Sequence, residues 1–281
     1  MLTSLVGSEM CIRDSASGEG SFDDTTSTFI IEHDYSENTN VYFKVAEGFK
    51  AGGFNAESSN PFAASTPYAP ETIESTELGL KGRYLDNRMM LNIAYFDNEH
   101  EDMQISYFNA DAAAASEVIN QSASISGLEV ESMTMLNDST VLTLNFSTLD
   151  AETTGNKRAQ DGFLVNNIPY SPEKTLYASL EKDFGSYRVR LDHTRVDEHA
   201  SFPYNSQDFR TELTYIDTNS KTDLLVLTEP MENLQLNFWV RNLNNNYHKS
   251  SAISFGPGFG YLTVGYFDAP RTFGMDLHYS F

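Results

Sequence analysis

One cysteine in 281 residues, Cys11, leaves this chain without a disulfide or a thiolate metal cluster. Long apolar runs are missing too. No window approaches the roughly 18 uninterrupted apolar residues that a membrane-crossing helix needs. Cations are scarce: 18 Lys and Arg stand against 40 Asp and Glu, a formal charge of −22. Phosphate recognition needs basic clusters, so this balance speaks against nucleic acid as a partner. Nucleophile elbow, P-loop and dinucleotide fingerprint are all absent. Thr263-Val-Gly265 and Gly256-Pro-Gly258 are loop glycines with no helical pattern behind them. Nothing here points to an enzyme or to a bound cofactor.

What the chain does have is aromatic side chains, 15 Tyr and 19 Phe, set into a period of two. The last nine residues are the clearest case. Phe273, Met275, Leu277, Tyr279 and Phe281 alternate with Gly274, Asp276, His278 and Ser280, a strand with one greasy and one wet face. Leu234, Leu236, Phe238 and Val240 repeat the pattern, as do Val41, Phe43 and Val45, and Leu142, Leu144 and Phe146. Counting such stretches predicts about eleven strands. Some are joined by tight turns (Ser36 to Thr39, Leu85 to Arg88, Gly185-Ser186) and others by polar segments of about ten residues or more. Short turns at one end and long loops at the other are the signature of an outer-membrane barrel. A soluble sandwich would space its turns more evenly. A surface or soluble β-sandwich, acting as an adhesin or binding module, is the competing architecture. A passive porin-type channel is the competing barrel.

Several phrases carry a family resemblance. Ala269-Pro-Arg-Thr-Phe-Gly-Met-Asp-Leu-His-Tyr-Ser-Phe281 resembles the closing strand of TonB-dependent outer-membrane receptors, where PRT-(F/Y)-G leads into alternating apolar residues and a terminal Phe. Gly48-Phe-Lys-Ala-Gly-Gly-Phe-Asn55 resembles that family's GFK-x-GGFN. The stretch from Pro70 to Gly82 resembles its PE…E-x-G-x-K-G, and Ile125-Ser-Gly-Leu-Glu-Val-Glu131 its I-x-G-x-E-x-E. Asp102-Met-Gln104 and Arg241-Asn-Leu-Asn-Asn-Asn-Tyr-His248 are further matching words. The resemblance implies an all-β, antiparallel transmembrane β-barrel. The eleven strands would be the C-terminal half of a 22-stranded wall in the outer membrane of a Gram-negative bacterium. It also implies energised uptake of a bulky nutrient, a ferric siderophore first, with TonB engaged through an N-terminal part that includes a plug domain. Phe273, Met275, Leu277, Tyr279 and Phe281 would then be the signal read by the barrel assembly machinery. Met1 to Ser15 lacks the alternation and the family wording of the rest. Its LVGSEMCIRDS resembles a translated sequencing adapter, so residues 16–281 are expected to be the barrel domain.

Ligand candidates are the aromatics of the long loops: Tyr68, Phe108, Tyr170, Phe202, Tyr204, Phe209, Phe255, Phe259 and Tyr261. Aromatic bodies with polar tips suit a ferric chelate, a corrinoid or a glycan. They equally suit the aromatic girdle at a membrane interface. Arg188, Arg190 and Arg241 offer charge to an anion, against the acidic balance elsewhere. Asp97, Glu99, Glu101 and Asp102 around His100 read as a solvated strand end, and His193 and His199 as ordinary histidines without a third ligand.

Overall fold

The computed structural model describes residues 17–58, 60–109, 115–155, 164–165, 167–203, 213–254 and 262–281. Eleven strands form one antiparallel sheet. In spatial order they are β1 (Thr28–Ser36), β2 (Thr39–Lys50), β5 (Glu71–Tyr84), β6 (Met89–Glu101), β9 (Ala123–Asn137) and β10 (Thr140–Thr153). Then follow β11 (Lys174–Asp183), β12 (Tyr187–Val196), β15 (Asn219–Met231), β16 (Leu234–Arg241) and β19 (Thr272–Tyr279). Spatial order equals chain order, a meander. The intervening numbers belong to small two-stranded ribbons inside the long connections: β3 (Gly53–Phe54) with β4 (Pro67–Tyr68), β7 (Gln104–Asn109) with β8 (Ala115–Asn120), β13 (His199–Ala200) with β14 (Tyr215–Ile216), and β17 (Lys249–Ser254) with β18 (Thr263–Phe267).

At one end of the sheet the strands turn over within two to four residues; at the other, 20 to 30 residues intervene. The tight ends use residues that tolerate a left-handed backbone. Gly185 has φ +86°, with its N–H donating 2.6 Å to Asp183 Oδ1, and Asn233 has φ 68°. Pro230, without an N–H, falls inside a register shift between Thr228 and Met231, where the ladder does not need it as a donor.

Register sorts the side chains. Ile31, Phe43, Leu78, Tyr95 and Leu128 lie directly opposite one another across β1, β2, β5, β6 and β9. Leu142, Leu180, Leu191, Leu224, Val240 and Phe273 do the same from β10 to β19. One residue along, on the other face, the row reads Asn40, Lys81, Asn92, Glu131, Asn145 and Tyr177. The period of two thus separates the sheet into an apolar and a polar face.

The apolar face is uncovered. Leu78, Tyr95, Leu144, Leu191, Phe238 and Met275 are exposed, and among the described residues the sheet's strands make their extensive contacts with their immediate neighbours. A sandwich would bury this face against a second sheet; the sandwich expectation therefore fails. Among the described residues the buried apolar cluster lies instead among the long connections, where Ile105, Tyr107 and Val165 pack with Met103, Ile119 and Phe202.

On the polar face three large rings lie against glycines of the next strand: Tyr42 opposite Gly79, Phe96 opposite Gly127, Trp239 opposite Gly274. A Cβ at Gly79 would fall inside the Tyr42 ring, and one at Gly274 would sit 2.8 Å from Trp239 Cε2. These glycines are required by close approach rather than by a turn.

Candidate ligand passage and loop cap

The polar face is a lattice of short-range pairs. Tyr42 donates its hydroxyl to Glu77 Oε1 at 2.5 Å, and Lys44 Nζ reaches Glu77 Oε2 at 3.1 Å. Lys81 Nζ lies 5.1 Å from the Tyr42 ring centroid. Asp192 accepts from Tyr177 at 3.0 Å and from Arg190 Nε at 2.9 Å. Trp239 donates its indole N–H to Asp276 Oδ2 at 3.1 Å, with the Arg241 guanidinium 5.1 Å over the ring. Lys44 and Glu77 are directly opposite in register, while Tyr42–Glu77, Tyr42–Lys81, Tyr177–Asp192 and Trp239–Asp276 are diagonal neighbours. Arg190–Asp192 and Arg241–Trp239 are two apart on one strand, and all these pairs lie on one face within side-chain reach.

Side-chain amides fasten the long connections. Asn55 grips the Val118 backbone, accepting from its N–H at 2.8 Å and donating to its carbonyl at 3.4 Å. Asn120 does the same to Ala69, at 2.8 and 2.9 Å, and donates to the Asp102 carbonyl at 2.7 Å. Gln104 Nε2 reaches the Ala51 and Ala69 carbonyls at 2.8 and 3.2 Å. Buried Glu117 accepts from the Ser58 hydroxyl and, at 2.7 Å, from Tyr107. The 51–70 and 102–122 connections are thereby clipped into one unit. A second knot closes the sheet's far side. Asn242, buried and at φ 54°, donates its N–H to Asp223 Oδ1 at 2.8 Å and its amide to the Asn246 and Ala269 carbonyls at 2.8 and 3.2 Å. Its Oδ1 accepts from the Asn246 N–H at 3.0 Å. Asn245 Oδ1 accepts from the Arg271 N–H at 3.0 Å, tying the knot to the entry of β19.

A family model described as "TonB dependent receptor-like, beta-barrel" matches residues 12–243. The chain belongs to the TonB-dependent receptor family. Solved structures carry the same fold. The ferric yersiniabactin uptake receptor FyuA of Yersinia pestis superposes with a TM-score of 0.72 at 19% identity, over 90% of this chain and 37% of that one. The ferric-catecholate import receptor Fiu of E. coli K12, in its closed form, gives 0.65 at 19%, over 89% and 34%. The copper transporter OprC gives 0.69 at 15%, over 90% and 39%. The chain spans between 34% and 39% of the length of these receptors. TonB-dependent receptors are outer-membrane proteins that receive and transport, not an enzyme family, and the cell outer membrane is this chain's location.

In a TonB-dependent receptor barrel the polar face is the lumen and the long connections are extracellular. Among the aromatic candidates, Tyr68 lies in β4 and is half-buried, with its ring against Gly53. Tyr170 is exposed; its hydroxyl is 3.0 Å from Ser251 Oγ and its ring 6.0 Å from that of His199. Phe202 packs on the small loop core. Phe108 is a β7 position. Tyr204, Phe209, Phe255, Phe259 and Tyr261 lie outside the described residues, as do Met1 to Ser15.

His193 Nδ1 is 3.0 Å from Thr222 Oγ1, and His199 Nδ1 is 3.0 Å from the Asp197 carbonyl. His100 is not a solvated strand end: it pairs with Glu71 at 3.1 Å, both side chains about one-seventh exposed, at 14% and 15%. Its neighbours Glu99 and Glu101 take the opposite face, because 99 and 101 differ in parity from 100.

A hollow of about 780 Å³ lies beside the loop-bearing ends of β9 to β12, lined by Tyr95, Leu128, Thr148, Lys174, Arg195 and Tyr215. Leu128, Thr148 and Lys174 share an apolar-face register row, so this hollow opens outside the lumen, away from any ligand passage. At Tyr215, burial and then the carboxylates of Glu198 and Glu173 push the hydroxyl above its ordinary range.

The residues missed in the sequence are the clips Asn55, Gln104, Glu117 and Asn120. Asn55 and Gln104 stand in GFKAGGFN and DMQ, wording without an obvious apolar role; Glu117 and Asn120 carried no signal.

Proposed function

We propose that these eleven strands are part of the wall of an outer-membrane receptor that takes up a bulky, scarce nutrient, a ferric siderophore first, with energy supplied through TonB. The observation that carries the reading is the sheet itself. An uncovered apolar face suits lipid, a polar face suits a lumen, and long, cross-braced connections at one end suit capture outside the cell. Further strands complete the wall, because the two sheet edges, β1 and β19, cannot stand unpaired in hydrocarbon. Phe273, Met275, Leu277 and Tyr279 line the apolar face of β19, all exposed, and Phe281 packs edge-on against Tyr279 at 5.2 Å. That stretch is the proposed handle for the barrel assembly machinery. The exposed Tyr170 and half-buried Tyr68 are the described residues best placed to touch a ligand, with Tyr204, Phe209, Phe255, Phe259 and Tyr261 belonging by sequence to two further long connections, 197–218 and 242–271.

The test is growth of an iron-starved Gram-negative host that lacks its own siderophore receptors and expresses the complete receptor. Growth on a supplied ferric siderophore, abolished by deleting TonB, is the expected result. Uptake that persists without TonB would make the protein a passive channel. No uptake of any ferric chelate would remove iron from the reading.

A further inference from the structure

The charge pattern of the passage narrows the ligand. Across the five long connections there are twelve Asp and Glu but only five Lys and Arg. On the lumen face of the extracellular half, the described cations are already engaged by their own wall. Lys50 pairs with Glu71 at 3.8 Å, Lys44 with Glu77 at 3.1 Å and Lys221 with Asp268 at 2.5 Å. Arg241 lies over Trp239. Lower down, Arg190 is taken by Asp192 at 2.9 Å, and Arg188 by Glu181 and Asp183, each at 3.5 Å. The carboxylates are not matched in the same way. Glu129 faces the lumen between Ala94 and Ser147 and makes no ion pair among the described residues. Glu131, next on that face, accepts from the neutral amide of Asn92 at 3.2 Å. Asp223 receives a backbone N–H.

A passage lined by one sign of charge between low-dielectric walls focuses its field inward and raises the local concentration of the opposite sign. At the tight-turn end Lys81 and Arg83 also face the lumen, with no ion pair among the described residues. An anionic chelate entering from the loop end would meet this field with its natural partners there already taken. It would have to displace a carboxylate from an existing pair. Resting on the receptor reading above, we infer that the ligand is a cationic or charge-neutral metal chelate, and that Glu129 and Glu131 set this preference. Arg188, Arg190 and Arg241 are engaged by their own wall and are not an anion clamp; Arg83, the fourth lumen-facing arginine, lies at the tight-turn end of β5, away from the loops.

The experiment uses the complete receptor, purified in detergent, and three ferric probes of known charge. They are a trihydroxamate carrying a free amine (cationic), a cyclic trihydroxamate (neutral) and a tris-catecholate (trianionic). At low salt the cationic probe is expected to bind at least ~10-fold more tightly than the trianion, with the gap closing as ionic strength rises. Glu129→Gln with Glu131→Gln is expected to shrink the gap while leaving the neutral probe's affinity unchanged. Equal or tighter binding of the trianion overturns the charge inference and leaves the receptor reading in place. An unaltered gap in the double variant removes the role given to these two residues. Failure of all three probes overturns the ferric-siderophore reading and this inference with it.

Discussion

Asn145 and Phe146 are neighbours in β10 but belong to opposite faces, which makes them a sharp test of which face meets lipid. Phe146 lies in an apolar row with Val130 and Leu176, while Asn145 stands between Glu131 and Tyr177. Phe146 is six residues above the tight-turn end at Thr140. At ~3.4 Å per residue and ~45° of tilt that is about 14 Å, close to the middle of a ~25 Å apolar band. Arginine there should cost about 2–4 kcal/mol. Roughly a hundredfold loss in the folded-to-unfolded ratio corresponds to about 3 kcal/mol of this. Asn145→Arg places the same charge on the other face beside Glu131, where the change should stay within about 1 kcal/mol. Urea unfolding of the complete receptor in lipid vesicles measures both. Equal costs, or a larger cost at Asn145, would refute the assignment of faces and with it the lumen.

Three further outcomes are expected. Gly274→Val should destabilise by about 1–3 kcal/mol through overpacking against Trp239; in a double-mutant cycle Trp239→Ala should recover most of that, and additive costs would mean that the close contact is unimportant. Asn242→Ala should cost about 1–3 kcal/mol, because the Asn246 N–H and the Asn246 and Ala269 carbonyls lose their side-chain partner. Hydrogen exchange should then speed up at the Asn246 and Arg271 amides but not in β2. Tyr215 should ionise later than exposed tyrosines. Its folded value lies above its unfolded one, so its contribution to stability is complete below about pH 10 and fades as pH rises through the folded value. Phenolate absorbance of the Tyr215→Phe protein should lack a late-titrating component, and an unchanged titration curve would contradict this.

The wall was legible because a half-solvated strand must alternate. Val41-Phe43-Val45 and Leu234-Leu236-Phe238-Val240 announce both their period and their face, and Gly185 and Asn233 mark turns by backbone necessity. The ends of strands were less so. β10 runs on to Thr153 and β15 through Pro230 to Met231, beyond the stretch where apolar alternation stops, because ladder hydrogen bonds persist where the side chains no longer need to separate two solvents. Hidden too was the β7–β8 ribbon. Ile105 and Tyr107 do alternate, but over six residues beside an alanine-rich tract, which reads equally well as loop. The aromatic candidates were chosen by composition alone. Composition cannot distinguish a ring that packs inward, as Phe202 does, from one that stays exposed, as Tyr170 does.

The three glycines opposite Tyr42, Phe96 and Trp239 also set how thick the polar side of the wall is. A ring without a bare backbone beside it must stand off from the wall and project towards the axis. A ring beside a glycine can lie close to the wall, because it occupies the space a Cβ would need. The wall therefore carries large aromatic surface on its polar face without thickening. Enlarging any one of these glycines would push its ring off the wall even if the sheet still formed.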